Sequence, residues 1–187
     1  MDETGGDVTE RRGEAFEFDE QLTVLGRRLA DGDAAPPFRL ACLDPETDEM
    51  QEVGLGDSAG AVRLLNVVNS LDTPVCHTET RRWETLRADL PPGVRVYTIS
   101  MDLPFAQARW RRAEGVEHDA LSAHANDQFG RDYGVLLEEW RLLQRAVFVI
   151  DPDGTVVHAE YVADQMTEPD YDAAGRAAES AARGDDS

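Results

Sequence analysis

Short apolar segments alternate with helical segments along this chain, and their order constrains the fold more than any other feature. Strand-like runs cover residues 38–43, 61–68, 94–100, 146–150 and 155–162. Helical patterns cover residues 74–88, 104–114, 124–133 and 170–183. The mostly apolar run at 61–68 is typical of a central strand buried on both faces. The succession predicts an α/β fold, with a central mixed sheet flanked by helices on both faces.

Turn signals predict two hairpins. Near the N-terminus, residues 22–25 and 28–29 flank Gly26-Arg27 and predict a small β-hairpin. Near the C-terminus, Asp151-Pro152-Asp153-Gly154 predicts a tight turn that joins the last two strands. The second hairpin adds an antiparallel pair to a sheet whose crossover helices imply parallel pairs.

The remaining boundaries predict one domain with loose ends. Residues 1–20 are acidic and aperiodic, so we expect a flexible N-terminal segment. Residues 184–187 are expected to form a flexible tail. The domain then covers residues 21–183, a length typical of a single hydrophobic core.

The charge balance excludes several partner classes. The chain has 38 acidic residues against 18 arginines and no lysine, for a formal net charge of −20. Such a surface repels phosphates and anionic lipids, so neither nucleic acid nor a membrane is an expected partner. Concentrated salt screens this self-repulsion, which favours adaptation to a salty cytoplasm. A genome biased toward arginine would explain the missing lysine but not the acid excess.

Cysteine usage and hydropathy indicate a cytoplasmic protein without metal or cofactor. No stretch approaches the roughly 18 apolar residues of a membrane-spanning helix, and the acidic N-terminus lacks the apolar region of a secretory signal. The two cysteines, Cys42 and Cys76, are too few for a disulfide scaffold and form no CxxC pair. The histidines are scattered without metal-ligand spacing.

Cys76 is the candidate reactive residue. Thr73 is a good N-cap and Pro74 suits the first helical position, which places Cys76 at the third position of a helix. There the free N–H groups and the helix dipole favour a thiolate, the nucleophilic form of cysteine. The alternative is a structural cysteine, since cysteine is among the most buried residue types.

Several segments together resemble one family. Thr73-Pro74-Val75-Cys76 resembles the peroxidatic TxxC motif of peroxiredoxins. Leu103-Pro104-Phe105-Ala106-Gln107 and Thr167-Glu168-Pro169-Asp170-Tyr171 are similar to the thiol peroxidase subfamily, which is named for atypical two-cysteine enzymes. The resemblance covers about residues 22–180, and the segment around Leu103 is its most specific part.

The resemblance implies a thioredoxin-like fold and roles for particular residues. By it, Cys76 is the peroxidatic cysteine, Thr73 orients the peroxide, and Arg145 stabilises the thiolate and polarises the O–O bond. A fixed guanidinium beside a sulfur does favour its charged form. Glu79 resembles a glutamate that orients an arginine in other subfamilies, although a glutamate on an exposed helix face is ordinary. The family also implies a homodimer.

Two departures from the family pattern change the expected mechanism. Asn69 replaces the proline that usually stands seven residues before the peroxidatic cysteine, which makes the pocket less apolar. Thr98 stands where the subfamily places its resolving cysteine, and a hydroxyl forms no disulfide. Cys42 lies in a predicted strand and is expected to be a buried structural thiol.

We therefore expect a one-cysteine mechanism, in which an external thiol or a thioredoxin-like protein reduces the sulfenic acid on Cys76. Two other functions stay open at this point. One is a redox sensor that oxidises without turning over. The other is a non-catalytic scaffold kept for dimerisation.

Overall fold

The computed structural model describes residues 9–184, which contain two β-sheets and four α-helices. The strands are β1 (Glu10–Glu17), β2 (Glu20–Leu25), β3 (Arg39–Leu43), β4 (Met50–Gly54), β5 (Arg63–Val67), β6 (Arg95–Ser100), β7 (Asp119–Ser122), β8 (Leu136–Leu137), β9 (Leu142–Leu143), β10 (Ala146–Ile150) and β11 (Val156–Tyr161). The helices are α1 (Pro74–Arg87), α2 (Pro104–Glu114), α3 (Gln128–Asp132) and α4 (Tyr171–Arg183), and a 3₁₀ turn covers Leu55–Ser58.

The larger sheet has the strand order β11-β10-β5-β6-β7-β3-β4. Strands β5, β6 and β7 are parallel, and α1 and α2 connect them as crossover helices. Strand β10 pairs antiparallel with both β5 and β11. The predicted mixed sheet with helices on both faces is therefore confirmed.

Side chains of the central strands alternate between two buried layers. In the first layer, Leu64, Val147 and Val149 pack with Trp83 of α1 and Tyr171 of α4. In the second, a cluster of aromatic and aliphatic residues packs beneath α3 and the smaller sheet; its members include Leu65, Phe129, Tyr133, Leu136 and Phe148. Because both faces are covered, β5 and β10 are buried along their whole length, which explains their apolar sequences.

The register of β5 and β10 determines where a site can form. Val67 lies opposite Ala146 in this antiparallel pair. The loop that leaves β5 toward α1 therefore lies beside the residues that precede β10. Cys76 and Arg145, far apart in the sequence, belong to these two segments.

The N-terminal prediction is wrong in two respects. Residues Glu10–Glu17 form a strand, so the flexible segment does not extend to residue 20, and residues 1–8 lie outside the described part. The hairpin joins β1 and β2 through a turn at Phe18, where φ is +51°. Gly26 instead follows β2 and lies so close to α3 that an added Cβ would clash with the Arg131 carbonyl oxygen. The sequence of β1 is mostly charged and lacks the alternation of apolar and polar residues that predicts a strand. The apolar residues of this hairpin come mainly from β2 instead.

Other differences are smaller. Residues 124–133 contain only the short helix α3, and four short strands were not predicted: β4, β7, β8 and β9. The expected tail at 184–187 lies almost wholly outside the described residues. Within residues 9–184, no helix combines the length and apolar composition that crossing a bilayer requires.

Candidate active site

Cys76 lies in the first turn of α1, just past the carboxyl end of β5. Thr73 is the N-cap with extended backbone angles, and Pro74 takes the first helical position. Cys76 is the third helical residue, as the sequence predicts, so its sulfur sits at the positive end of the helix dipole. The residue is a free thiol with 0% exposure.

The loop before α1 is held by Asp102, which follows β6. Its carboxylate accepts hydrogen bonds from the Ser70 hydroxyl at 2.7 Å and from the Leu71 backbone N–H at 2.9 Å. The Ser100 hydroxyl donates to the same carboxylate at 2.8 Å, and Gln107 of α2 donates to Ser100 at 3.0 Å. The segment around Leu103, which carries the most specific family resemblance, thus holds the loop that leads from β5 to Cys76.

Arg145 immediately precedes β10 and reaches the sulfur. Its Nη2 donates to Cys76 Sγ at 3.3 Å and to the Gln165 carbonyl oxygen at 2.8 Å. The side chain is 1% exposed, and Nη1 contacts the carboxyl of Glu79. Burial alone would lower the Arg145 pKa, but Glu79 and the sulfur raise it, so the guanidinium stays charged. A cation is therefore fixed against the thiol.

Glu79 is fully buried one turn after Cys76, not on an exposed helix face. Burial raises the pKa of its carboxyl to about 8, against the opposing effect of Arg145. One buried cation thus faces two groups that can become anions. Arg145 therefore contacts both the Glu79 carboxyl and the Cys76 sulfur from one buried position.

Thr73, the N-cap of α1, lies three residues before Cys76, and its hydroxyl is hydrogen-bonded within the preceding loop. The hydroxyl donates to the Ser70 carbonyl oxygen at 2.9 Å and makes no side-chain cap for α1. Its proton is thus committed to Ser70, while its lone pairs can accept a hydrogen bond from a ligand.

A cavity of about 440 Å³ opens beside the N-terminal end of α1. Its polar lining comes from Glu17, Asn69, Thr73 and Gln165, and the rest is mainly apolar, with Trp140 among the lining residues. The cavity borders the cysteine turn through Thr73, Pro74 and Val75 and has room for a small molecule with an apolar portion, while the Cys76 sulfur itself lies buried behind this lining.

Comparison with known proteins identifies the family. The profile of the AhpC/TSA family matches residues 32–159, more than half of the chain. The chain belongs to the AhpC/TSA family of peroxiredoxins.

Individual relatives agree with this assignment. The chain is 47% identical over 154 residues to a thiol peroxidase of Streptococcus sanguinis, covering 82% of this chain and 91% of the relative. It is 45% identical over 161 residues to a thiol peroxidase of Halalkalibacterium halodurans, covering 86% and 93%. Among solved structures, it resembles a peroxiredoxin-like protein from Aquifex aeolicus, with a TM-score of 0.78, 30% identity, and coverage of 94% and 99%.

Gln165 was not predicted as part of this candidate site; Asn69 was predicted to line it, but its hydrogen-bond partners were not predicted. Gln165 is 1% exposed and joins the Arg145 segment to Asn69 through its side-chain oxygen. No motif marks Gln165, which follows β11 in a loop. Asn69 stands out in the sequence only as a departure from proline, and its hydrogen bonds depend on residues 74 to 96 positions away.

Thr98, at the position of the subfamily's resolving cysteine, is part of a separate buried network. With His118 neutral, the Thr98 hydroxyl donates to Nε2 at 2.8 Å, and Nδ1 donates to Glu84 at 2.5 Å. Asn66 donates to the Thr98 oxygen at 3.1 Å. Burial lowers the pKa of His118, which keeps the ring neutral in this network. Thr98 therefore bonds Asn66 of β5 directly and is connected to Glu84 of α1 only through His118.

The other residues considered from the sequence, His77 and Cys42, make contacts that stabilise the fold. Both ring nitrogens of His77 face α2: Trp110 donates to Nδ1 at 3.1 Å, and Glu114 lies 3.4 Å from Nε2. Cys42, on β3, is a buried free thiol in the second core layer, three strands from β5. Residues 9–184 contain no cluster of His, Cys, Asp and Glu that could hold a metal ion.

Proposed function

We propose that the protein is a thiol-dependent peroxidase that reduces hydrogen peroxide or organic hydroperoxides at Cys76. The observation that carries the proposal is the charge-assisted contact of 3.3 Å between Arg145 Nη2 and Cys76 Sγ, at the N-terminal turn of a helix. The family assignment and the thiol peroxidases among the relatives support the same activity.

The first step is transfer of one oxygen atom. The Cys76 thiolate attacks the terminal peroxide oxygen, an S–O bond forms, and the O–O bond breaks. Sulfur is oxidised to sulfenic acid, and the leaving oxygen takes up a proton and departs as water or an alcohol. Arg145 stabilises the negative charge on both sulfur and the leaving oxygen. Thr73 orients the peroxide by accepting a hydrogen bond from its O–H group.

The second step needs a thiol from outside this chain. Thr98 provides no sulfur, and Cys42 lies in a different buried cluster from Cys76. An external thiol attacks the sulfenic sulfur, expels water and forms a mixed disulfide with Cys76. A second external thiol then attacks this mixed disulfide, pairs with the first thiol and releases Cys76 as a thiolate. The reductant is a low-molecular-weight thiol or a thioredoxin-like protein.

Steady-state consumption of peroxide in the presence of a thioredoxin system or dithiothreitol tests the proposal. We expect turnover with hydrogen peroxide and with cumene hydroperoxide, and none after Cys76→Ser. A single oxidation of Cys76 without turnover would favour the redox sensor. Absence of any oxidation at Cys76 would favour the scaffold.

We extend the proposal to assembly and surroundings. Leu103 and Phe105 at the start of α2 are 54% and 62% exposed, and this apolar surface fits a homodimer interface. Light scattering would measure the oligomeric state.

Two free thiols fit a reducing cytoplasm. The net charge of −20 fits a salty one and disfavours nucleic acid and membranes. No gain in melting temperature between dilute and molar salt would contradict the salt adaptation.

A further inference from the structure

A directed chain of hydrogen bonds runs through two buried amides toward the reactive sulfur. It begins at Gln165, whose Nε2 donates to the carbonyl oxygens of Val162 and Ala163 at 2.8 and 3.0 Å. Carbonyl oxygens can only accept, so they fix the opposite orientation for the side-chain oxygen. That oxygen accepts from the Arg145 backbone N–H at 2.9 Å and from Asn69 Nδ2 at 3.1 Å.

Asn69 takes its own orientation from this chain. Its Nδ2 donates both to Gln165 and to the Leu143 carbonyl oxygen, the latter at 2.6 Å. If the amide were flipped, the Asn69 oxygen would face two other acceptors, the Leu143 carbonyl oxygen and the Gln165 side-chain oxygen, and neither could donate to it. The Asn69 oxygen is therefore directed elsewhere, and it lies 3.9 Å from Cys76 Sγ. Asn69 is 4% exposed, so water does not readily replace it.

We propose that Asn69 accepts a hydrogen bond from the sulfenic acid of Cys76 and thereby protects this intermediate from further oxidation. The inference rests on the proposed function, since peroxide must first oxidise Cys76. An O–H···O hydrogen bond spans about 2.7 Å, which together with one S–O bond fits the 3.9 Å between sulfur and the amide oxygen. Proline, the family residue at this position, has no side-chain acceptor.

The protected reaction is attack by the sulfenate on a second peroxide. The sulfur lone pair attacks the terminal oxygen, a second S–O bond forms, and the O–O bond breaks. Sulfur loses two electrons and becomes sulfinate, while the hydroperoxide proton ends on the leaving oxygen, which departs as water or an alcohol. The anionic sulfenate is a stronger nucleophile than the protonated acid, because its negative charge raises the electron density on sulfur.

An acceptor at Asn69 favours the protonated form and so acts on both fates of the intermediate. It slows attack on a second peroxide. It also assists reduction, because an external thiolate displaces hydroxide from S–OH more easily than oxide from S–O⁻. This matters in a chain with Thr98 at the resolving position, where the sulfenic acid waits for a reductant from solution.

The test measures the fraction of Cys76 converted to sulfinic acid per turnover, by intact mass, at fixed reductant and rising hydrogen peroxide. Two variants remove the acceptor: Asn69→Leu, of similar size, and Asn69→Pro, which installs the family residue and serves if the first does not fold. Asn126→Leu is the matched control, because Asn126 is exposed on the loop before α3. We expect a rise of about fivefold in both Asn69 variants, the effect of one lost hydrogen bond, and none in the control.

The outcomes separate the inference from the function it rests on. Equal sulfinic acid per turnover in wild type and folded Asn69 variants, with peroxide still consumed, would overturn the inference alone. A wild-type protein that never forms sulfenic acid at Cys76 would overturn the proposed function and the inference with it.

Discussion

Both cysteines of this chain are buried, but their surroundings differ. Cys42 lies on β3 within the second core layer, where burial raises the pKa of its thiol and the nearby Asp119 raises it further. Cys76 lies at the start of a helix, with the Arg145 guanidinium 3.3 Å from its sulfur and a cavity alongside. The proposed function attributes the reactivity of Cys76 to the fixed cation and the helix N-terminus, since both cysteines are buried.

The largest expected effect separates the two sulfurs directly. Cys76→Ser should abolish peroxide consumption, because the hydroxyl is no substitute for a thiolate. Cys42→Ala is the matched variant and should consume peroxide at the wild-type rate, measured with the same reductant. Loss of turnover in folded Cys42→Ala protein would make Cys42 a participant and remove the contrast between the two sites.

Removing the cation should give the next largest effect. Arg145→Met should slow oxidation of Cys76 by roughly 10²–10³-fold, the usual cost of losing one donor that stabilises a developing anion. Arg145→Lys keeps the positive charge but not the planar guanidinium, so its rate of Cys76 oxidation should fall less than that of Arg145→Met. The rate of sulfenic acid formation is measured by rapid quench and mass spectrometry. Arg141→Met is the control, because Arg141 is exposed and pairs with Asp127.

Glu79 should shape the pH dependence of the site. With the Glu79 pKa raised to about 8, its ionisation above that pH places an anion beside Arg145 that competes with the Cys76 sulfur for the guanidinium. Wild-type oxidation should decline above about pH 8, and Glu79→Gln should retain its rate there. A decline of equal size in both proteins would exclude Glu79 as its cause.

The same residue predicts a change in folding stability. The folded-state pKa of Glu79 lies above its ordinary value of 4.5, so the folded state keeps a proton that the unfolded state loses. The contribution to stability is fully present below pH 4.5 and is lost as pH rises through about 8. Denaturant unfolding between pH 5 and 8 should show a shallower decline in Glu79→Gln than in wild type. Identical slopes would contradict the raised pKa.

The smallest expected effect on catalysis belongs to Thr98. Thr98→Val leaves His118 Nε2 and the Asn66 amide without their shared partner, which should lower the free energy of unfolding by about 1–2 kcal/mol. The rate of Cys76 oxidation should not change, because this network contacts α1 beyond the cysteine turn. Slower oxidation at unchanged stability would assign Thr98 a role in the reaction.

Local chemistry in the sequence predicted local structure well. The start of α1 and the position of Cys76 were predicted correctly, because proline geometry at Pro74 acts within one turn. The predicted side-chain cap at Thr73 does not form, since its hydroxyl donates to Ser70 instead. Arg145 was singled out only by family resemblance, since its contact with the sulfur depends on β10 lying beside β5. Gln165 escaped notice for the same reason: its partners come from four segments and leave no local pattern. The charged strand β1 was not predicted, because it is held in place by pairing with the apolar strand β2 and has no apolar pattern of its own.

The rate of sulfenic acid formation at each cysteine, in a single turnover with hydrogen peroxide near neutral pH, tests the central claim most directly. Quenching at short times and mapping the added oxygen by mass spectrometry gives the rate at Cys76 and at Cys42 in one molecule. We expect oxygen to appear at Cys76 far faster than on free cysteine in solution, while Cys42 stays reduced. Oxidation of Cys76 no faster than free cysteine, or oxidation of Cys42 first, would contradict this claim.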